Sequence, residues 1–280
     1  MLNSLNAGVS GLQQFQSQID LIGNNIANVN TTGFKSARVN FADTFVEAMS
    51  GPGMADASSS FGSGVVTDGV MTSFKGGSIT ATENITDLAI ENGQGFFTVI
   101  DPETEVPYAT RSGNFKVDEQ GFLVTNQGFR VQGTLGDGQA VGNLLFRDDA
   151  AIRGGFDPGN ANFIGTEVTG DGRILMLFDD GASYQGGQIR LKEFVAPQEL
   201  TKLGHNLYGN LDAASPTDPD GSIPGTGNTG VIRSRALESS NVDLTGEFSN
   251  LIVAQRAFQA NARMITTSDQ MMQEIVALKR

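Results

Sequence analysis

The chain has 280 residues, with 31 acidic against 18 basic side chains and a formal net charge of −13. That balance argues against a nucleic-acid surface, which needs clustered Lys and Arg to displace counterions. With no cysteine and a single histidine, disulfide frameworks, thiolate nucleophiles, Cys-ligated zinc, Fe–S clusters and multi-His metal sites are excluded.

Glycine is abundant, at 36 residues, and unevenly placed: four fall in residues 1–50, one in residues 237–280, the rest between them. A helix interior loses about 1 kcal/mol per Gly relative to Ala, so the distribution separates helical ends from a turn-rich centre. The N-terminal zone repeats Leu5, Leu12, Ile19 and Ile26 at seven-residue spacing. Leu2, Val9, Phe15, Ile22 and Val29 form a neighbouring row, and together they predict an amphipathic helix over about 4–29. Asn30-Thr31-Thr32-Gly33 ends it, with Gly33 free to turn left-handed. The N-terminus lacks a basic leader and apolar core, so no cleavable secretory signal is expected. No stretch reaches the ~18 consecutive apolar residues of a membrane span.

Residues 36–85, rich in Ser, Thr and Gly, read as an extended arm. The next zone reads as antiparallel β. Asp87–Glu91, Gly95–Ile100 and Phe115–Val117 are parted by Asn92-Gly93 and by Asp118–Gly121. Ile174–Phe178 and Gln188–Phe194 follow turns at Gly170-Asp171-Gly172 and Asp179-Asp180-Gly181, a pattern of hairpins and meanders. The last zone carries the strictest repeat: Leu237, Leu244, Leu251, Phe258, Ile265 and Met272, with Phe248, Ala262 and Val276 on a companion row. Ser239–Asp243 offer capping oxygens, and sustained a/d spacing points to a coiled-coil seam. The plainer alternative is that the two terminal helices pair as a hairpin packed on the middle domain.

The fold class expected is α+β: terminal coiled-coil-forming helices (N and C) flanking a mainly antiparallel β domain, joined by an extended arm. The divisions are 1–35 (N-terminal helix), 36–85 (arm), 86–236 (β domain, with space for a small insertion at 134–162) and 237–280 (C-terminal helix). Catalytic constellations are lacking: no phosphate loop, dinucleotide fingerprint or Gly-x-Ser-x-Gly elbow is present. His205 has no nucleophile pattern near it, and Asp218-Pro-Asp220-Gly221 opens like a calcium loop but has Thr229 where the closing Glu belongs. The chain therefore reads as a non-enzyme, with no cofactor and no metal.

Gly11-Leu12, Asp20, and then Asn24, Asn25, Ile26, Ala27, Asn28, Val29, Asn30, Thr31, Thr32, Gly33, Phe34 and Lys35 resemble the N-terminal signature of the flagellar rod, hook and hook-associated axial proteins. Gly77–Thr80, Asp87–Ile90, Thr110–Phe115, Val131-Gln132-Gly133, Leu200–Tyr208 and Leu237–Leu244 extend the resemblance in order along the chain. Ala254–Asn261 and Ile265–Met271 look most like the hook branch, in a short form. Only about thirty residues lie between Gly133 and Phe163, where hook proteins usually insert a larger outer domain, so a distal rod subunit is the alternative. From another class, a β-rich surface adhesin with a coiled-coil stalk predicts a closed trimer.

The resemblance implies a structural subunit that polymerises with itself into a hollow helical tube and transmits torque. It also implies export by the flagellar type III apparatus to the hook or basal body. The partners implied are flagellar rod, hook-cap and hook–filament junction proteins, with no nucleic acid. The apolar heptad positions Leu5, Leu12, Ile19, Ile26, Leu244, Phe248, Leu251, Phe258, Ile265 and Met272 are then the expected self-assembly surface. Asn24, Asn25, Asn28, Thr31, Gly33 and Phe34 are the family-motif residues.

Overall fold

A computed structural model describes residues 2–44, 46–48, 60–62, 64–135, 140–146, 163–179, 181 and 183–278. The chain divides into two compact units. The helical unit comprises residues 1–29, 36–73 and 242–280, and the β unit residues 30–35 and 74–241. Most of the expected insertion at 134–162 lies outside the described residues.

In the helical unit, α1 (Leu2–Ala27) pairs with α2 (Leu244–Leu278). Asp243 starts α2: its carboxylate accepts from Thr245 N at 3.1 Å and its carbonyl from Glu247 N at 2.9 Å, satisfying donors that a helix start leaves free. Leu237, counted in the heptad row, belongs to strand Ala236–Glu238 of the β unit, paired with Ile79–Ala81. Three residues paired in a two-stranded ladder are extended, and the repeat alone does not reveal that.

Part of the expected arm is a ladder. Ala37–Asp43 pairs antiparallel with Val65–Thr72, register Ala37↔Thr72 to Asp43↔Val65, with a bulge between Asn40 and Phe41. Val39, Val65, Val66, Thr67, Val70 and Thr72 supply the β-branched residues that favour a pleated surface. Phe41 meets Phe15 of α1 edge-on, ring centroids 6.1 Å apart.

Among the described residues, the β unit carries a twelve-stranded sheet. Its main path runs Phe163–Val168, Arg173–Phe178, Ser183–Ile189, Arg130–Leu135, Phe96–Ile100, Pro107–Thr110, Leu207–Gly209, Thr201–Gly204. Each pairing on the path is antiparallel. Expected hairpins form at Gly172 (φ 81) and Gly181 (φ 82), left-handed corners where a Cβ would be strained. His205 (φ 51) and Asn206 (φ 60) make the two-residue turn between Thr201–Gly204 and Leu207–Gly209.

The hairpin expected at Asn92-Gly93 does not form. Leu88–Glu91 pairs instead with distant Val231–Ser234. Gly93 crosses Gly230 so closely that a Cβ would sit 2.2 Å from its nitrogen, so the Gly serves a close approach of backbones. Because side chains alternate along a strand, adjacent Phe96 and Phe97 serve different cores. Phe97 packs with Val99, Leu123, Val131, Leu144, Ile174 and Ile189, while Phe96 packs with Phe194, Leu200, Tyr208 and Leu211.

Candidate assembly surface and signature segment

Two glycines let the terminal helices approach. A Cβ on Gly8 would lie 3.2 Å from Ile265 Cγ1, and one on Gly11 would lie 2.8 Å from Asn261 Nδ2. Over residues 5–27 the buried positions of α1 are Gly8, Gly11, Ile22 and Asn25, which share one helical face. The predicted row Leu5, Leu12, Ile19 and Ile26 sits beside that face and is half-buried. On α2 the inward positions are Ala254 and Ser268, with half-buried Leu251, Phe258 and Ile265 on the same face. Leu244, Phe248 and Met272 are exposed, Phe248 at 50%, although Leu244 and Met272 continue the seven-residue row of Leu251, Phe258 and Ile265. Residues 269–278 are all exposed, and they include Met271, Met272, Ile275, Val276 and Leu278. The predicted self-assembly positions thus divide into half-buried residues at or beside the helix contact and exposed apolar residues. Ile252 and Val253, which the seven-residue rows omit, join the exposed set.

The signature segment has two structural parts. In the helical unit, buried Asn25 acts as a strand surrogate. Its Nδ2 donates to Ala37 O at 2.8 Å and Glu247 Oε1 at 3.0 Å, and its Oδ1 accepts from Ala37 N at 3.1 Å. Burial pushes the Glu247 carboxyl up, while the Asn25 bond opposes that shift. Asn28 N and Nδ2 both reach Asn24 O, at 3.2 and 2.9 Å, closing the last turn of α1. In the β unit, Thr31 O accepts from Phe34 N at 3.3 Å and Thr32 O from Asn206 Nδ2 at 2.7 Å. Gly33 has φ 70, and a Cβ there would lie 2.7 Å from the backbone of Arg111. Phe34 is buried, with Lys202 Nζ 4.0 Å from its ring centroid.

Lys35 ends the segment inside an ionic cluster that sequence reasoning left unassigned. Lys35 Nζ donates to Glu238 Oε1 at 2.6 Å and to Lys75 O at 2.8 Å. Arg111 Nη1 reaches Glu238 Oε2 at 3.4 Å and Nη2 reaches Gly93 O at 3.0 Å, with Cζ 4.9 Å from the Phe96 centroid. Gly77 N gives Glu238 a further bond at 2.9 Å. The three charged side chains are at most 1% exposed. Two cations thus share one carboxylate out of water, and burial lowers the pKa of both Lys35 and Arg111. Tyr208 Oη and Arg111 Nε lack a hydrogen-bond partner among the described residues. All three residues stand in the quoted family blocks, which was the available signal. Their burial was not legible, because Lys, Arg and Glu default to the surface.

The cluster is sealed from solvent and serves as a structural lock. One unit of paired helices with exposed apolar side chains and another built on a locked antiparallel sheet describe a structural subunit. Family comparisons agree. Residues 5–35 match the flagella basal body rod protein model, 89–175 the flagellar hook protein FlgE/F/G D1 domain, and 233–278 the flagellar basal body rod FlgEFG protein C-terminal model. The flagellar basal-body rod protein FlgG of Bacillus subtilis (strain 168) is 40% identical over 286 residues, covering 100% of both chains. FlgG of Borreliella burgdorferi is 31% identical over 287 residues, again covering 100% of both. The flagellar hook protein FlgE of the same organism is 26% identical over an alignment of 446 residues. The chain belongs to the family of flagellar basal-body rod and hook proteins. It is a structural component of the flagellum and not an enzyme.

Proposed function

We propose that the chain is a subunit of the flagellar basal-body rod, in line with the distal-rod alternative, and not a short hook protein. The observation that carries this reading is collinearity. The rod protein of Bacillus subtilis aligns over 286 residues at full coverage of both chains, whereas alignment to the hook protein opens to 446 residues. Subunits polymerise through the exposed apolar residues of the helix pair, among them Leu244, Phe248 and Met272 on α2, together with the half-buried Leu5, Leu12, Ile19 and Ile26 row on α1. A repeated heterologous contact with a screw component propagates into a tube. Other rod and hook proteins are its neighbours, and the flagellar export apparatus delivers it. Cross-complementation tests the assignment. Expression in a strain lacking the rod protein restores motility, and expression in a strain lacking the hook protein does not. Rescue of the hook-deficient strain alone would overturn it.

A further inference from the structure

Residues 30–35 belong to the β unit although the chain on both sides of them belongs to the helical unit. The chain consequently passes between units four times, at 29/30, 35/36, 73/74 and 241/242. The six-residue segment is tied most directly to the far end of the same unit. Gly33 N donates to Glu238 O at 2.8 Å, Asn241 N to Phe34 O at 3.4 Å, and Lys35 Nζ to Glu238 Oε1 at 2.6 Å. Glu238 is itself held by Gly77 N and Arg111, and Arg111 is anchored on Gly93 O. Lys35 therefore docks on a carboxylate already fixed by the β unit.

We propose that segment 30–35 and the strand ending at Glu238 form a mechanical latch, which takes load applied between the two terminal helices before the sheet is strained. Load from α1 enters the β unit at Asn30 and load from α2 enters at Asn241, and these entry segments are bonded directly to each other. A buried ion pair suits the task. Parting it exposes unpaired charges in a low-dielectric site, whereas an apolar contact slides with its partner area largely kept. The Gly33 turn lets the segment lie against the Arg111 backbone, where no side chain fits. The latch rests on the geometry of the β unit and stands whichever part of the flagellar axis the chain builds.

Single-molecule pulling on the full chain tests it. The native chain has no cysteine, so one cysteine added at each end gives specific handles. In the wild type the β unit opens in one high-force event. In Lys35→Met, release of segment 30–35 precedes it as a separate low-force step, lengthening the chain by about 20 Å for six residues. Should Lys35→Met fail to fold, the triple variant Lys35→Met/Arg111→Met/Glu238→Leu, which leaves no buried charge unpaired, gives the same early step. A core control, Val131→Ala, lowers the melting temperature without creating that step. Absence of the early step in both latch variants, or its appearance in the control, would overturn the proposal.

Discussion

Tyr208 and Gly33 show how single positions govern the β unit. Burial holds the Tyr208 phenol well above its ordinary value of 10.0, although Arg111 pulls it down. An acid whose pKa is raised on folding contributes stability that is complete below its unfolded pKa. Each pH unit above about 10 then removes up to about 1.4 kcal/mol, until the folded pKa is reached. Lys35 acts in the opposite sense and at lower pH: burial lowers its pKa from 10.5, so its contribution to stability rises as pH climbs from the folded pKa to about 10.5 and is level above that. Comparing wild type with Tyr208→Phe isolates the phenol. The variant is more stable by about 1 kcal/mol at neutral pH, since an unpartnered hydroxyl leaves the core, and its advantage widens above pH about 10. Denaturant melts at neutral and alkaline pH check both points, and a constant difference would contradict the assignment. Gly33→Ala forces a Cβ to 2.7 Å from the Arg111 backbone at φ 70. It is expected to destabilise the β unit by about 1–3 kcal/mol, read as a lower denaturant midpoint with an unchanged slope.

At the scale of elements, the helix pair separates two jobs that seven-residue spacing merges. Phe248 is exposed on the outward face, while Phe258 is half-buried on the inward one. Phe248→Glu is expected to abolish polymerisation and keep the helix content. Phe258→Glu loses both, because a desolvated carboxylate at the helix contact costs several kcal/mol. Gly11→Leu, placed where a Cβ already meets Asn261 at 2.8 Å, parts the helices as Phe258→Glu does. Circular dichroism and sedimentation of each variant give the two readouts. Loss of helix content in Phe248→Glu would contradict this division of faces. The repeats at Leu5–Ile26 and Leu244–Met272 were enough to place both helices. They could not show which face turns inward on α1, because Gly8 and Gly11 make that contact by having no side chain. The Asn92-Gly93 turn misled for a related reason. A glycine that permits distant backbones to cross reads the same as one that permits a tight turn. The ladder of Ala37–Asp43 with Val65–Thr72 was obscured by Asp68, Gly69 and the Ser/Gly-rich residues around it.

For the whole molecule, two units and four chain crossings suit the proposed subunit, which polymerises and bears load. The signature Asn24–Lys35 serves both units: Asn25 fastens α1 to Ala37 and Glu247, and Gly33 to Lys35 fasten the β unit to Glu238. That double duty explains why so many polar residues crowd one short stretch, and why the sequence pattern showed the signature without its mechanics. The hook expectation rested on Ala254–Asn261 and Ile265–Met271, which lie in the region matched by a C-terminal model that covers rod and hook proteins alike. Length and collinearity discriminate better than that block does. Electron microscopy of basal bodies isolated from cells lacking this chain tests the rod assignment most directly. A rod truncated before its outer end, with no hook attached, is the predicted result; a complete rod lacking only the hook would contradict it.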